Sequence, residues 1–364
     1  MPRGNVLRPA GELKRSTRAN AQRQYGGIMK LNSLANLSIL ILAASGPAQA
    51  GTYVITTLPL QQYSSYAIFG LNDNDQVVGR AADKLGDHGF LWSNGVLTQI
   101  DYPAAADTHL NRINDNGLIA GTYYTYTNRA PHGSSIPFTY DIKTGAFKQI
   151  KLKGHAHNSR AESTGINLSG TVIGVDTSTN VYFVAQTRGK PIYTVPSDFR
   201  AMGSDGDSPT LSAAGALVTD YYTTGGPEDC GSYQSGKWTE IPYPPGTGGI
   251  CFVSSAGTIF GDLGSSIGYG FIYSNGNFTT YQYPNENIYT RFVSLNASGE
   301  ILGYHPAGMF VYVNSTFYPL TVNGYVGQPV AINALDSIVG AYTTNSGTYA
   351  FIAQCPANQR PCTQ

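Results

Sequence analysis

The chain has 364 residues, Lys plus Arg equal Asp plus Glu at 22 each, and only 12% of positions are charged. That length is more than one simple core usually organises unless the chain is modular or a closed array. With 43 Gly and 26 Tyr and no sustained helical period past residue 50, the composition excludes a helical protein and points to short strands and tight turns.

The first element is a leader. Residues 1–28 carry six Lys/Arg and one acidic residue without apolar periodicity, and read as an extension upstream of a true start at Met29. Lys30, the apolar run from Leu37 to Ala44, Pro47 and the small-x-small triplet Ala48-Gln49-Ala50 form a signal peptide over 29–50, with Gly51 as the mature start. The apolar run falls well short of the ~20 residues of a membrane span. Residues 1–50 hold seven Lys/Arg and one Glu, so the mature part keeps fifteen basic and twenty-one acidic residues, a net charge of −6. The expectation is a secreted or periplasmic monomer with no membrane span in the mature chain and no nucleic-acid partner.

The next element, T-Y-V-I-T-T-L-P (52–59), is a strand with no repeat of its own. The repeats follow it. Each places an apolar residue before Asn, then a turn, two apolar residues and Gly. Five full copies have their Asn at Asn72, Asn114, Asn167, Asn296 and Asn333, seven residues before Gly79, Gly121, Gly174, Gly303 and Gly340. Two degenerate copies put Ser212 and Ser254 in the Asn place and end at Thr219 and Gly261. The first and last Asn lie 261 residues apart over six intervals, an average near 43, which is the period of a four-stranded propeller blade.

Within a repeat, strand A leads to the Asn turn and strand B ends near the Gly. A polar loop then precedes an aromatic strand C, such as G-F-L-W (89–92) or G-F-I-Y (270–273). A tight turn at Gly95, Gly145, Gly236 or Gly276 leads to strand D, which ends near Tyr-Pro. The seventh repeat stops after strand C. The segment 52–59 supplies the missing D strand and hides two open edges. The predicted fold is all-β: a seven-bladed β-propeller over 51–354, its last blade completed by the N-terminal strand, followed by a tail at 355–364. A β-solenoid or two sandwich domains would leave the orphan strand unexplained. The recurring Asn and Gly are read as structural: Asn for the turn, Gly for close strand packing.

These repeats resemble the bacterial "extracellular repeat, HAF family". Its His-Ala-Phe survives here as His88-Gly89-Phe90 and in part as Tyr349-Ala350-Phe351, and the Ile-Asn-x-x-Gly portion recurs over nearly all of 60–354. The resemblance implies an exported repeat protein. It brings no catalytic residues with it.

Four cysteines in an exported chain predict two disulfides. Cys230 is placed in the long B–C loop of blade 4 and Cys251 in strand A of blade 5, so their bond would staple the two blades that lost the Asn. Cys355 and Cys362 would close the tail. Their spacing does not match zinc ligands, and His155-x-His157 has no evident third ligand, so no metal or other cofactor is expected.

The variable D–A and B–C loops share one face, where a ligand would bind. Five residues before each Asn or Ser stand Ala67, His109, Glu162, Asp207, Gly249, Arg291 and Gln328, converging on one channel mouth. Just after each Gly, the same face gathers Arg80, Tyr123, Asp176, Asp220, Tyr221, Asp262, His305 and Tyr342. Rings and polar groups suit a glycan. The first functional expectation is therefore a non-catalytic propeller binding a glycan or another surface molecule through His109, Glu162, Asp207, Asp262, Arg291, His305, Gln328 and Tyr342. The alternative is an extracellular polysaccharide lyase, with His109 or His305 and Tyr123 or Tyr221 as acid and base and Arg291 neutralising a uronate, or a hydrolase using two carboxylates. A structural surface repeat without a small ligand is the third reading.

Overall fold

The computed structural model describes residues 52–127, 130–152, 160–178, 181–186, 190–194, 200–201, 209–222, 228–264, 268–285 and 288–362. Expectations resting on the leader at 1–50, on the pair His155 and His157 and on Asp207 lie outside these residues. Among them the one helical element is a single 3₁₀ turn, Ala357–Gln359, and no helix is long and apolar enough to cross a membrane.

The fold is a seven-bladed β-propeller of antiparallel sheets. Blade 1 runs through Ser65–Leu71, Val77–Ala82, Asp87–Ser93 and Val96–Ile100 as strands A to D. Blade 2 repeats this with Asp107–Ile113, Leu118–Thr127, Ala130–Asp141 and Ala146–Gln149. Blade 3 uses Ala161–Ile166, Thr171–Asp176, Val181–Gln186 and Lys190–Thr194. In blade 4 strand A is split into Arg200–Ala201 and Thr210–Leu211, both paired to Leu217–Tyr222, before Glu228–Gln234 and Lys237–Ile241. Blades 5 and 6 are regular, starting at Gly249–Val253 and Arg291–Leu295.

Blade 7 closes the ring. Its own strands Gly327–Ile332, Ile338–Thr344 and Gly347–Gln354 are joined by Val54–Thr57, which pairs antiparallel with the last of them from Val54↔Gln354 to Thr57↔Phe351. The orphan strand is therefore strand D of blade 7, as the repeat arithmetic predicts. Tyr53 extends this closure by donating its hydroxyl to the carbonyl of Cys362 at 3.1 Å. The Cys355–Cys362 disulfide closes the tail it meets.

The core lies between blades, where each sheet stacks on the next. Val78, Leu110, Ile119 and Phe138 form one such layer, and Phe260, Phe292, Ile301 and Phe310 another. The strand B Gly sits opposite a strand C Phe in six blades, as in Gly79↔Phe90, Gly261↔Phe271 and Gly340↔Phe351. A Cβ on Gly79 would stand 2.7 Å from the Phe90 ring, so only Gly lets that ring lie across the strand. Blade 4 inverts the pair. Thr219 stands opposite Gly231, and the Trp238 ring from strand D covers Gly231 instead.

The five Asn blades share a second feature. Strand A carries a β-bulge between Ile68 and Gly70, Leu110 and Arg112, Ser163 and Gly165, Phe292 and Ser294, and Pro329 and Ala331. Blade 5, with Ser254, pairs without a bulge. Each Asn side chain accepts backbone N–H groups of its own turn, as Asn72 does from Asn74 and Gln76, both at 3.0 Å. Its amide then reaches the next blade. Asn72 donates to the carbonyl of Asn114, Asn114 to Asn167, Asn167 to Ala213 and Asn296 to Asn333. Ser212 and Ser254 cap their turns through Oγ, and a hydroxyl cannot span the seam in this way.

The disulfide Cys230–Cys251 bridges blades 4 and 5, where Ser212 replaces the Asn link. Cys251 is in strand A of blade 5 as expected. Cys230 is not in a loop. Strand C of blade 4 begins at Glu228, and Cys230 pairs with Asp220 and Ile241 inside the sheet. Asp220 adds to the same seam, its Oδ1 accepting the backbone N–H of Cys251 at 2.7 Å and the hydroxyl of Tyr243 at 2.9 Å.

Candidate functional site

Strand A of each blade lines the central channel, which holds a cavity of about 1100 Å³. Its wall is largely apolar: Ile68, Phe69, Ile113, Ile250, Phe252 and Val330. Arg112 lines it too, its guanidinium donating to the carbonyls of Phe69 and Asn111. Toward one end stand the Asn turns. Toward the other stand Asp262, Tyr289, Arg291, Tyr304 and Gln328.

Arg291 organises that end. Its Nε donates to Asp262 Oδ2 at 3.1 Å, and its Nη1 donates to the Tyr304 hydroxyl at 3.4 Å. The guanidinium carbon lies 5.5 Å from the Tyr289 ring centroid, a cation–π distance. Partial burial is the largest single effect and works against its charge, but the Asp262 carboxylate together with the Tyr304 and Tyr289 phenols outweighs it and holds Arg291 above its ordinary value. The side chain remains 46% exposed, so a permanently charged planar fork, flanked by two phenol rings, opens on the cavity. Gln328, in blade 7, is exposed beside it on the same lining.

A second cluster occupies blades 1 to 3. His109 Nε2 stands 2.9 Å from Asp87 Oδ2, and Arg80 Nη1 donates to the same oxygen at 2.7 Å. On the other side of the imidazole, Nδ1 faces the Tyr124 hydroxyl at 3.4 Å. Tyr124 also hydrogen-bonds the Glu162 carboxyl, giving a chain Asp87–His109–Tyr124–Glu162 across three blades. Burial lowers His109 from its ordinary value despite the pull of Asp87, so the imidazole is neutral at pH 7. Burial, then the Glu162 charge, raises Tyr124 strongly. Burial likewise raises Glu162, partly offset by the Tyr124 bond.

Two residues farther along strand B, Tyr126 donates to Asp107 Oδ2 at 2.9 Å and leaves 60% of its surface exposed. The sequence folds this way because strand B of blade 2 runs to Thr127 and pairs with a still longer strand C, so the pairing extends past Tyr126.

The structure thus brings His109, Glu162 and Arg80 into one cluster, and Arg291, Asp262 and Gln328 into another. It withdraws Tyr123, Tyr221, His305 and Tyr342. These were expected at the starts of B–C loops facing the mouth, but strand B continues past the Gly, and side chains alternate along it. The second residue after the Gly therefore points between blades. Tyr123 stacks on Tyr102 at 3.8 Å, and His305 stacks on Tyr283 at 3.7 Å, its ring buried although the residue borders the cavity. Tyr221 packs edge-on against Trp238, and Tyr342 is buried beside Tyr349 and Tyr325. Asp176 and Asp220 are buried, the first holding the N–H and hydroxyl of Ser178, the second in the blade 4–5 seam. His88, from the His-Ala-Phe position, is pinned between Asp83 at 3.1 Å and Asp101 at 2.9 Å, away from the channel lining. Asp87 and Tyr124 escaped the sequence reading. The period-2 run Y-Y-T-Y-T (123–127) was the available signal for Tyr124 and Tyr126. Nothing in the sequence pairs Asp87 with His109.

No protein-family model matches the sequence, and no curated protein aligns with it significantly. Solved propellers do share its fold. The virginiamycin B lyase of Staphylococcus aureus superimposes with a TM-score of 0.51 at 15% identity, covering 83% of this chain and 99% of that one. A puromycin-hydrolysing peptidase of Mycobacterium tuberculosis gives 0.57 at 10% identity, over 85% of this chain and 54% of its own. The β-propeller domain of the trilobed protease of Pyrococcus furiosus, described as having an open velcro topology, gives 0.53 at 9% identity over 83% and 99%. The present ring differs from that description in being closed by Val54–Thr57. At such identities the fold is shared, and these neighbours carry different activities on it.

Proposed function

We propose that this chain is an exported β-propeller, related to the extracellular HAF repeat proteins, that binds a glycan at the mouth formed by its D–A and B–C loops. The observation that carries the reading is Arg291: nearly half exposed, fixed by Asp262, backed by the Tyr289 and Tyr304 rings and opening on a cavity of about 1100 Å³. A fixed guanidinium with adjoining aromatic faces supplies donors for hydroxyl or carboxylate oxygens and flat surface for a pyranose ring. Two disulfides fit an oxidising compartment, where surface glycans are found.

The test is retention of gellan, polygalacturonate and dextran on the immobilised chain 51–364. Retention of at least one glycan, weakened about tenfold or more in R291A at unchanged thermal stability, is the expected result. Equal retention by R291A would move the site elsewhere, and no retention of any glycan would reject the reading.

A further inference from the structure

We propose that the blade 1–3 cluster is an acid–base site that cleaves uronate-bearing glycans by β-elimination, with the Tyr124 hydroxyl handling the substrate's protons; this rests on the glycan-binding reading above. The geometry is that of a hydroxyl backed by an imidazole backed by a carboxylate. Asp87 accepts only, so the His109 proton sits on Nε2, at 2.9 Å from Asp87, and the Nδ1 lone pair faces the Tyr124 hydroxyl. A carboxylate that fixes the tautomer and steadies the imidazolium formed opposite is the logic of a hydroxyl activated by His. The 3.4 Å gap is long for a hydrogen bond, as catalytic contacts often are before substrate is bound.

Two neighbours suit a uronate in particular. Arg80 holds Asp87 with one nitrogen while its side chain stays 32% exposed, and its charge reaches both His109 and Tyr124. A cation there would neutralise the uronate carboxylate and stabilise the enolate formed when the α-proton leaves. Tyr126, exposed on the same face of the strand as Tyr124, offers a ring on which the adjoining sugar can stack. Hydrolysis by paired carboxylates fits less well. Asp87 is engaged by Arg80 and His109, and Glu162 by Tyr124, so both carboxyls already serve as partners.

The step balances without a co-reactant. On substrate binding the Tyr124 hydroxyl turns from Glu162 to His109 Nδ1 and passes its proton there, and the phenolate takes the C5 proton of the uronate. The C5–H electron pair becomes the C4=C5 double bond as the C4–O4 bond breaks. The O4 leaving group takes the proton now on Tyr124, and His109 returns its own to the phenolate. The products are an unsaturated uronate end and a new sugar end.

Charge narrows the substrate. The mature chain carries a net charge of −6, and Asp87, Asp107 and Glu162 crowd this cluster. A dense polyanion is repelled there, so the fitting polymer spaces its uronates with neutral sugars.

The experiment follows ultraviolet absorbance of unsaturated products with gellan, whose glucuronates are separated by neutral sugars, and with polygalacturonate. Product from gellan is expected. Y124F should lower kcat about 100-fold or more with KM within about threefold and gellan retention intact. His109 acts through Tyr124 as a positioning residue, so H109Q should also erase the acidic limb of the kcat–pH profile. Product formed at wild-type rate by Y124F overturns the assignment. Retention of gellan without product from either polymer overturns elimination and leaves binding standing, whereas neither retention nor product overturns both. Product from polygalacturonate alone overturns the charge-spacing argument.

Discussion

The side-chain amide of Asn333 donates to the backbone carbonyl of Asn72 at 2.9 Å, across 261 residues of sequence. It is the same bond that Asn72 makes to Asn114 and Asn114 to Asn167, here made by the last blade to the first. At this seam and the one before it the amide gains a second acceptor. Asn333 also donates to Asp75 at 2.8 Å, and Asn296 to Asp336 at 3.3 Å. Asp75 and Asp336 occupy the turn position where the other five blades use Gly, at φ of 55° and 60°. Asp tolerates that left-handed backbone better than most residues, and its carboxylate reinforces the two seams flanking the composite blade.

Replacing Asn333 with Ser should therefore imitate the seams that follow blades 4 and 5. The Oγ would still cap the turn, as Ser212 and Ser254 do. The donor to Asn72 and Asp75 would be gone, leaving buried acceptors short of a partner. A loss of about 1–3 kcal/mol is expected in urea unfolding. N333D should cost at least as much, because it sets a carboxylate against Asp75.

Much of this was legible from the chain alone. The Asn–Gly spacing counted the blades, and the unclaimed strand at 52–59 dictated closure. What the repeat could not show was the partner of each Asn amide, because that partner lies in the next blade and not in the next turn. The mouth was half legible for a related reason. Of the residues five before each Asn, Arg291 and Gln328 line the cavity. After the Gly, strand B continues where the sequence suggests a loop, and one residue of parity separates the buried Tyr123 from Tyr124, whose hydroxyl meets His109.

The inverted Gly–Phe pair in blade 4 makes a local prediction. Gly303→Ala presses a methyl against the Phe310 ring, and Gly231→Ala presses one against Trp238. Each should cost about 1–3 kcal/mol, since the added methyl falls well inside van der Waals contact of the ring. Only the second should alter tryptophan fluorescence, because Trp238 covers that Gly, whereas Trp92 lies in blade 1.

The blade 4–5 seam should be the part of the ring most sensitive to reduction. C230S with C251S removes a bridge spanning 21 residues, and a loss of about 2–4 kcal/mol is expected in guanidinium unfolding. C355S with C362S removes a bridge spanning 7 residues in the tail and should cost less. Equal losses from the two pairs would contradict the assignment of Cys230–Cys251 to a seam without an Asn link.

Glu300 ties the ring to acidity. It is buried beside Asp336, and Asn296 donates to it at 2.8 Å. Tyr53 and Arg360 are the other ionisable groups whose charges bear on this pair. Burial, then the bond to Asp336, pushes Glu300 up from an ordinary 4.5 to about 8. The folded state therefore holds a proton that the unfolded chain releases. Its stabilisation is complete below pH 4.5 and is lost as pH rises through about 8. E300Q keeps an acceptor for Asn296 without needing that proton. It should leave thermal stability near its wild-type value at pH 4 and raise it at pH 8, by roughly 2–4 kcal/mol. An equal effect at both pH values would show that Glu300 is not the titrating group.

Arg291 separates a charge requirement from a shape requirement. Its guanidinium meets Asp262, Tyr304 and the Tyr289 face together, and an ammonium cannot reproduce that planar set of contacts. If the ligand is read through the fork and the ring, R291K should bind gellan nearly as poorly as R291A, about tenfold below wild type. If only positive charge matters, R291K should match wild type at low salt, and both should lose affinity steeply as salt is added. Asp262→Asn decides the remaining step. It leaves Arg291 charged but frees it to turn toward solvent, so the fork reading predicts weaker binding in D262N and the charge reading predicts stronger binding. Titrating the three variants against gellan at two salt concentrations distinguishes the readings by sign and not merely by size.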